Sequence, residues 1–179
     1  PGLGTLEAFN TDGLRSLLET SRTPDMVEKT LRYPGHADQM RILREAGFFS
    51  DQDILAPSGK VKPRDVTETL LFDSWQFQDG EPDLTVGRVS VEGVSGGRRV
   101  RHTYNLLDYY NPDTETSSMA RTTGYTCAAV VRLVASGMWT EPGISPGEFV
   151  GRREDCFDFV LKHLADRGVS LFHRVEALD

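Results

Sequence analysis

Arg32 and His36 are the two residues of the chain whose types and spacing most clearly suggest chemistry. Arg32 lies near the end of a predicted strand, and His36 lies where a helix is expected to start after the break at Pro34 and Gly35. A guanidinium can bind a carboxylate through two hydrogen bonds, and a neutral imidazole can accept a proton. The alternatives are an ordinary ion pair for Arg32 and a helix-capping or core-edge position for His36.

A second group of polar residues lies at the start of the most apolar predicted helix, over residues 117–137. Free backbone N–H groups and the helix dipole at such an end attract anions, and Arg121 adds a positive charge. Thr122 lies beside it. We therefore expect a carboxylate to bind there, although N-capping by Ser117 or Ser118 would explain part of the pattern.

The elements that position these residues alternate between strands and helices. Period-two and period-3.6 patterns and turn residues delimit them. Strands are predicted over 5–9, 26–33, 84–94, 99–110 and 169–178. Helices are predicted over 14–18, 36–46, 61–77 and 117–137, with a last helical region over 145–167. The expected fold class is α+β, with a mixed, mostly antiparallel sheet backed by helices.

For two of the helices, the sequence pattern predicts which face is buried. The helix over 117–137 has only a narrow polar band, so we expect most of it to be buried. In the helix over 61–77, the core face is expected to contain Val66, Leu70 and either Phe72 or Phe77.

Composition excludes several classes of function. The net charge of −7 and the pI near 5.1 argue against a surface for nucleic acids or anionic membranes. Cys127 and Cys156 lack the spacing of metal ligands, and no apolar run approaches the length of a membrane span. We expect reduced thiols, no metal and a cytoplasmic protein. His102, His163 and His173 have no companion at a useful spacing and are expected to be structural.

The sequence also lacks the motifs that hold nucleotides. No G-x-G-x-x-G follows a strand and opens a helix, and there is no P-loop. Gly93, Gly96 and Gly97 fall in a predicted hairpin instead. The chain by itself therefore has the features of a substrate-side or dimerisation domain, with no Rossmann domain.

Four stretches carry a family resemblance: Glu7 to Leu18, Glu28 to Leu43, Ser118 to Leu133, and Gly143 to Val169. The last contains Gly-Ile-Ser-Pro-Gly-Glu-Phe and Phe-Asp-Phe-Val-Leu. Together they resemble the C-terminal domain of the saccharopine dehydrogenase family, and in particular its lysine 6-dehydrogenase-like members.

This resemblance implies an oxidoreductase that interconverts an amine and an imine on lysine or saccharopine. NAD or NADP would be held by an N-terminal nucleotide-binding domain that these 179 residues do not contain. We therefore expect residues 1–179 to be a single substrate-binding and dimerisation domain, a fragment of a longer enzyme that is inactive alone. A homodimer is expected. The alternative is a non-catalytic dimerisation or small-ligand-binding module of the same fold.

The resemblance also gives roles to the candidate residues. Arg32 would grip the α-carboxylate of the amino acid, and His36 would take the proton from the amine. Arg121 and Thr122 would contact the substrate. Asp12 is expected to be an N-cap or first-turn acid, with a contact to the substrate amine as a further role.

Overall fold

A computed structural model describes residues 3–179. The chain divides into two compact units, one ending at Asp79 and the other running from Gly80 to Asp179. Whether the whole chain acts as one substrate-binding domain stays a prediction.

The first unit is built around a short hairpin followed by helices. Strand β1 (Glu7–Asn10) pairs antiparallel with β2 (Lys29–Arg32). Between and after them lie α1 (Leu17–Thr20) and α2 (His36–Glu45). A second hairpin, β3 (Ile54–Ala56) and β4 (Gly59–Val61), precedes α3 (Pro63–Trp75). Gly35 has a φ of 101°, a left-handed conformation that favours glycine and allows the sharp entry into α2.

The second unit is a three-stranded antiparallel sheet with helices. Strand β5 (Leu84–Ser95) pairs with β6 (Arg98–Tyr109), which pairs with β7 (Leu171–Ala177). Gly96 and Gly97 both have positive φ, so the two-residue turn between β5 and β6 follows the right-handed twist of the strands. The helices are α4 (Ser118–Ala135), α5 (Gly147–Gly151) and α6 (Glu154–Ala165).

The core of the second unit lies where α4, α5 and α6 meet. Leu133, Val150 and Cys156 form its buried cluster. Partly buried side chains pack around them, namely Met138, Trp139, Phe159 and Val160. Helix α4 also contacts β5 and β6, so it lies against both this core and the sheet.

The predicted α+β class is confirmed. The strand pairs found among residues 3–179 are all antiparallel and form three separate small sheets, so no parallel pair is present in that range. The β3–β4 hairpin was not predicted. The last helical region is divided at Arg152 and Arg153, where the backbone of Arg153 becomes extended between α5 and α6.

Both predictions about burial need correction. On α4, Val131 and Val134 are 61% and 54% exposed, so one apolar face of this helix is open. On α3, Leu70 and Phe72 are 65% and 63% exposed rather than buried in a core. Apolar periodicity identifies which residues share a helix face, but it does not show whether another element covers that face.

Two further findings concern membranes and metals. Among residues 3–179, no helix combines the length and apolar character needed to cross a membrane. Within the same range, no cluster of three or more histidine, cysteine or acidic side chains could hold a metal ion.

Candidate substrate-binding site

Arg32 is an exposed cation at the end of β2. Its Nη1 donates a hydrogen bond to the carbonyl oxygen of Leu31 at 2.9 Å. In the described part of the chain, no carboxylate forms an ion pair with it. The alternative, an ordinary ion pair for Arg32, is therefore not observed. The guanidinium of Arg32 remains able to bind an anion.

His36 is the first residue of α2, at the position where the sequence places the helix start. The residue is partly buried. Its ring stacks on that of Phe9 from β1, with 6.0 Å between the ring centroids and 12° between the ring planes. This contact ties the start of α2 to the first hairpin and restricts the orientation of the imidazole.

Glu7 is a residue of this site that the sequence analysis missed. Its Oε2 accepts a hydrogen bond from the backbone N–H of Gly35 at 3.0 Å. Its Oε1 accepts one from Ala37 at 2.6 Å. These bonds, first that from Ala37 and then that from Gly35, lower the pKa of the Glu7 carboxyl below its ordinary value. The start of α2 thus already holds an internal carboxylate, so its N–H groups at Gly35 and Ala37 are satisfied.

An apolar groove of about 420 Å³ opens beside this helix start. Four apolar residues line it, namely Phe9, Ala37, Met40 and Phe49, together with the polar residues Asn10, Asp38, Arg41 and Arg44. Phe9 lines the groove and also contacts His36, whereas His36 and Arg32 are not among the lining residues. Its size and lining suit an aliphatic chain.

Asp12 lies in a loop that is fixed by Glu28. The Glu28 carboxylate accepts hydrogen bonds from the hydroxyl of Thr11 and from the N–H of Gly13. A Cβ at Gly13 would lie 2.5 Å from Cδ of Glu28, so a larger residue there would displace the Glu28 carboxylate from the loop. Asp12 itself forms an exposed ion pair of 3.1 Å with Arg15. Its contact with a substrate amine stays a prediction.

Arg121, in the second unit, is 6% exposed and takes part in a buried polar network. Its Nε and Nη2 donate to the two carboxylate oxygens of Asp108, at 3.3 and 3.2 Å. Its Nη2 also donates to the carbonyl of Arg167. Ser118 donates through Oγ to Asp108 at 2.8 Å. The charge of Arg121 is therefore already matched within the unit.

The start of α4 is likewise capped from within the chain. Oδ1 and Oδ2 of Asp83 accept hydrogen bonds from the N–H groups of Ser118 and Met119, at 2.5 and 2.9 Å. Oγ of Ser117 accepts a third from Ala120. The expectation of free N–H groups at this helix end is thus wrong, although the expected N-cap at Ser117 is present. Thr122 donates to the carbonyl of Ser118. The substrate contacts expected of Arg121 and Thr122 stay predictions.

The remaining histidines are placed as follows. Nδ1 of His102 and Nε2 of His173 lie 3.0 Å apart across β6 and β7. The two residues are therefore hydrogen-bond partners, which their separation in the sequence did not indicate. His163 is buried on α6, and burial lowers its pKa, with Arg167 and Arg132 acting in the same direction.

Comparison with known proteins identifies the family. The profile described as "Saccharopine dehydrogenase C-terminal domain" matches residues 1–169. A saccharopine dehydrogenase [NADP(+), L-glutamate-forming] of Pyricularia oryzae is 32% identical over 114 residues, which cover 60% of this chain and 24% of that protein. The chain thus aligns with about a quarter of this relative's length. On these grounds, the chain belongs to the saccharopine dehydrogenase family, as a C-terminal domain.

Proposed function

We propose that this chain is the substrate-binding domain of an NAD(P)-dependent amino-acid oxidoreductase that interconverts an amine and an imine on lysine or saccharopine. The observation that carries the proposal is Arg32. It is an exposed guanidinium with no ion pair among the described residues, four positions before a histidine, in a chain of this family.

In this proposal Arg32 binds the α-carboxylate of the amino acid. A bidentate pair between guanidinium and carboxylate fixes the orientation of the ligand as well as its position. His36, at the start of α2, accepts the proton that the substrate amine loses. The apolar groove beside Phe9 and Met40 accommodates the aliphatic part of the substrate.

The residues of the second unit have a supporting role in the proposal. Arg121 is paired with Asp108, and the α4 start is capped by Asp83, whereas Arg32 has no ion pair among the described residues. We assign Arg121 and Thr122 to holding the start of α4 in place rather than to primary recognition of the carboxylate. Asp12 is assigned a structural role in its loop, where it pairs with Arg15.

NAD or NADP supplies the hydride acceptor, and a nucleotide-binding domain outside these 179 residues holds it. The saccharopine dehydrogenase of Pyricularia oryzae is NADP-dependent by its name, which supports a nicotinamide cofactor here. The proposal includes a homodimer, supported by the open apolar face of α4. It also includes a cytoplasmic location, supported by the free thiols of Cys127 and Cys156.

The test is an assay of the full-length enzyme that contains this chain. NAD and NADP are each offered with L-lysine and with saccharopine, and cofactor reduction is followed by absorbance. Turnover with either amino acid is the expected result. A folded protein that binds the cofactor but oxidises neither amino acid would contradict the proposed substrates. Failure to bind either cofactor would contradict the enzymatic role.

A further inference from the structure

Glu7 and Arg32 lie directly opposite each other on the paired strands β1 and β2. Opposite charges at facing positions of an antiparallel pair usually attract and contact each other. Here they do not. The carboxylate of Glu7 binds the start of α2 instead, and Arg32 donates to its neighbour's carbonyl.

The two hydrogen bonds of Glu7 bracket His36. One oxygen binds the N–H of the residue before it, Gly35, and the other binds the N–H of the residue after it, Ala37. The N-cap position of α2 is Gly35, which has no side chain to cap the helix. A strand residue 28 positions earlier therefore supplies the cap that the local sequence lacks.

The chemistry of the carboxyl group agrees with this geometry. The same two N–H groups lower the pKa of Glu7, and the charge of His36 contributes in the same direction. An ionised Glu7 is thus the form that the start of α2 stabilises. Phe9, whose ring stacks on that of His36, belongs to the same strand as Glu7. Strand β1 therefore contacts both the ring of His36 and the backbone on either side of it.

We infer that Glu7 is a positioning residue, which holds His36 in the orientation needed for proton transfer by binding the backbone on both sides of it. This inference rests on the proposed function, because it gives Glu7 its effect through His36. Glu7 does not touch the substrate in this account. By binding α2 it also leaves the facing Arg32 unpaired.

The change that tests the role is Glu7→Gln. The amide keeps the shape of the side chain but has only one oxygen, so it can accept only one of the two N–H bonds. Loosening the backbone around a proton-transfer group by a fraction of an ångström is expected to lower kcat by about 10- to 100-fold. KM for the amino acid should change far less, because the carboxylate contact is assigned to Arg32.

A double-mutant cycle separates positioning from a general loss of structure. Wild type, Glu7→Gln, His36→Asn and the double variant are compared in the full-length enzyme, with Glu45→Gln as a charge-matched control at the other end of α2. If Glu7 acts through His36, adding Glu7→Gln to His36→Asn should lower kcat less than about twofold. An equal loss in both backgrounds would overturn the inference.

A second measurement does not depend on activity. In an NMR titration of the ¹⁵N-labelled 179-residue chain, the amide signals of Gly35 and Ala37 should move together as Glu7 gains its proton. This coupled movement should disappear in Glu7→Gln. Its absence in the wild type would overturn the proposed contacts of Glu7. If it is present but His36→Asn retains full turnover, the contacts stand, whereas the roles of His36 and Glu7 in catalysis are refuted.

Discussion

Arg121 and Asp108 form an ion pair that is buried on both sides, each residue being 6% exposed. The guanidinium donates to both carboxylate oxygens, and Ser118 donates to the same carboxylate. This pair joins the first turn of α4 to strand β6. Removing one partner would leave a buried charge without its counterion, which is costly.

We expect Arg121→Met to lower the free energy of unfolding by about 3 to 5 kcal/mol. The methionine fills part of the space, but Asp108 then lacks a counterion in a buried position. Urea denaturation followed by circular dichroism measures the change. Arg101→Met is the matched control, because Arg101 pairs with Glu92 on the exposed sheet surface, and it should cost at most about 1 kcal/mol. Equal effects of the two substitutions would contradict a structural role for Arg121.

Asp83→Ala should uncap α4. The carboxylate accepts the first two N–H groups of the helix, and no other described residue is bonded to them. We expect a loss of about 1 to 2 kcal/mol in the free energy of unfolding. Asp113→Ala, an exposed acid in the preceding turn, serves as the control in the same denaturation experiment. An effect no larger than that of the control would show that Asp83 does not cap the helix.

Glu7 should contribute to the dependence of stability on pH. Its pKa in the folded chain is lowered from 4.5, so the stabilisation is present above that pH and is lost as the pH falls through the folded-state value. The melting temperatures of wild type and Glu7→Gln should therefore converge between about pH 6 and about pH 3. Thermal melts across this range measure the effect. Glu45→Gln should show no such convergence, since Glu45 lies at the α2 end that lacks free N–H groups.

The two cysteines should differ sharply in reactivity. Cys127 is exposed on α4, whereas Cys156 is fully buried and burial raises the pKa of its thiol. We expect one thiol per chain to react rapidly with a thiol-specific reagent and the second to react only after denaturation. Cys127→Ser should abolish the rapid phase. The rapid phase is expected of the monomeric chain, because the proposed homodimer through the open face of α4 would cover Cys127. Slow labelling of both cysteines in the monomer would contradict the prediction.

Sequence patterns predicted elements well where the signal is long and local. The β5–β6 hairpin, with glycines at its turn, and the helix starting at Ser118 both lie within a few residues of the predicted bounds. The β3–β4 hairpin was missed because each strand has only three residues, too few for a period to be recognised. Its turn residues, Pro57 to Gly59, were the available signal.

The site was predictable only in part, for a related reason. Arg32 and His36 are close in sequence, so a strand end and a helix start suffice to place them. Glu7 reaches α2 across 28 residues, and Asp83 reaches α4 across 35. Contacts of this kind depend on strand register and packing, which local patterns do not encode. Sequence reasoning therefore identified the start of α4 as an anion site without identifying Asp83, whose carboxylate already caps it, and placed His36 at the start of α2 without identifying Glu7.

The most direct test of the account compares Arg32→Gln with Arg22→Gln in the full-length enzyme. Arg22 is an exposed arginine of the same unit, so both variants lose the same charge. If Arg32 binds the α-carboxylate, Arg32→Gln should lower kcat/KM for the amino acid by about 10- to 100-fold. The melting temperature should remain unchanged, and Arg22→Gln should behave like wild type. Full activity of Arg32→Gln, or an equal loss in both variants, would contradict the binding of the α-carboxylate by Arg32.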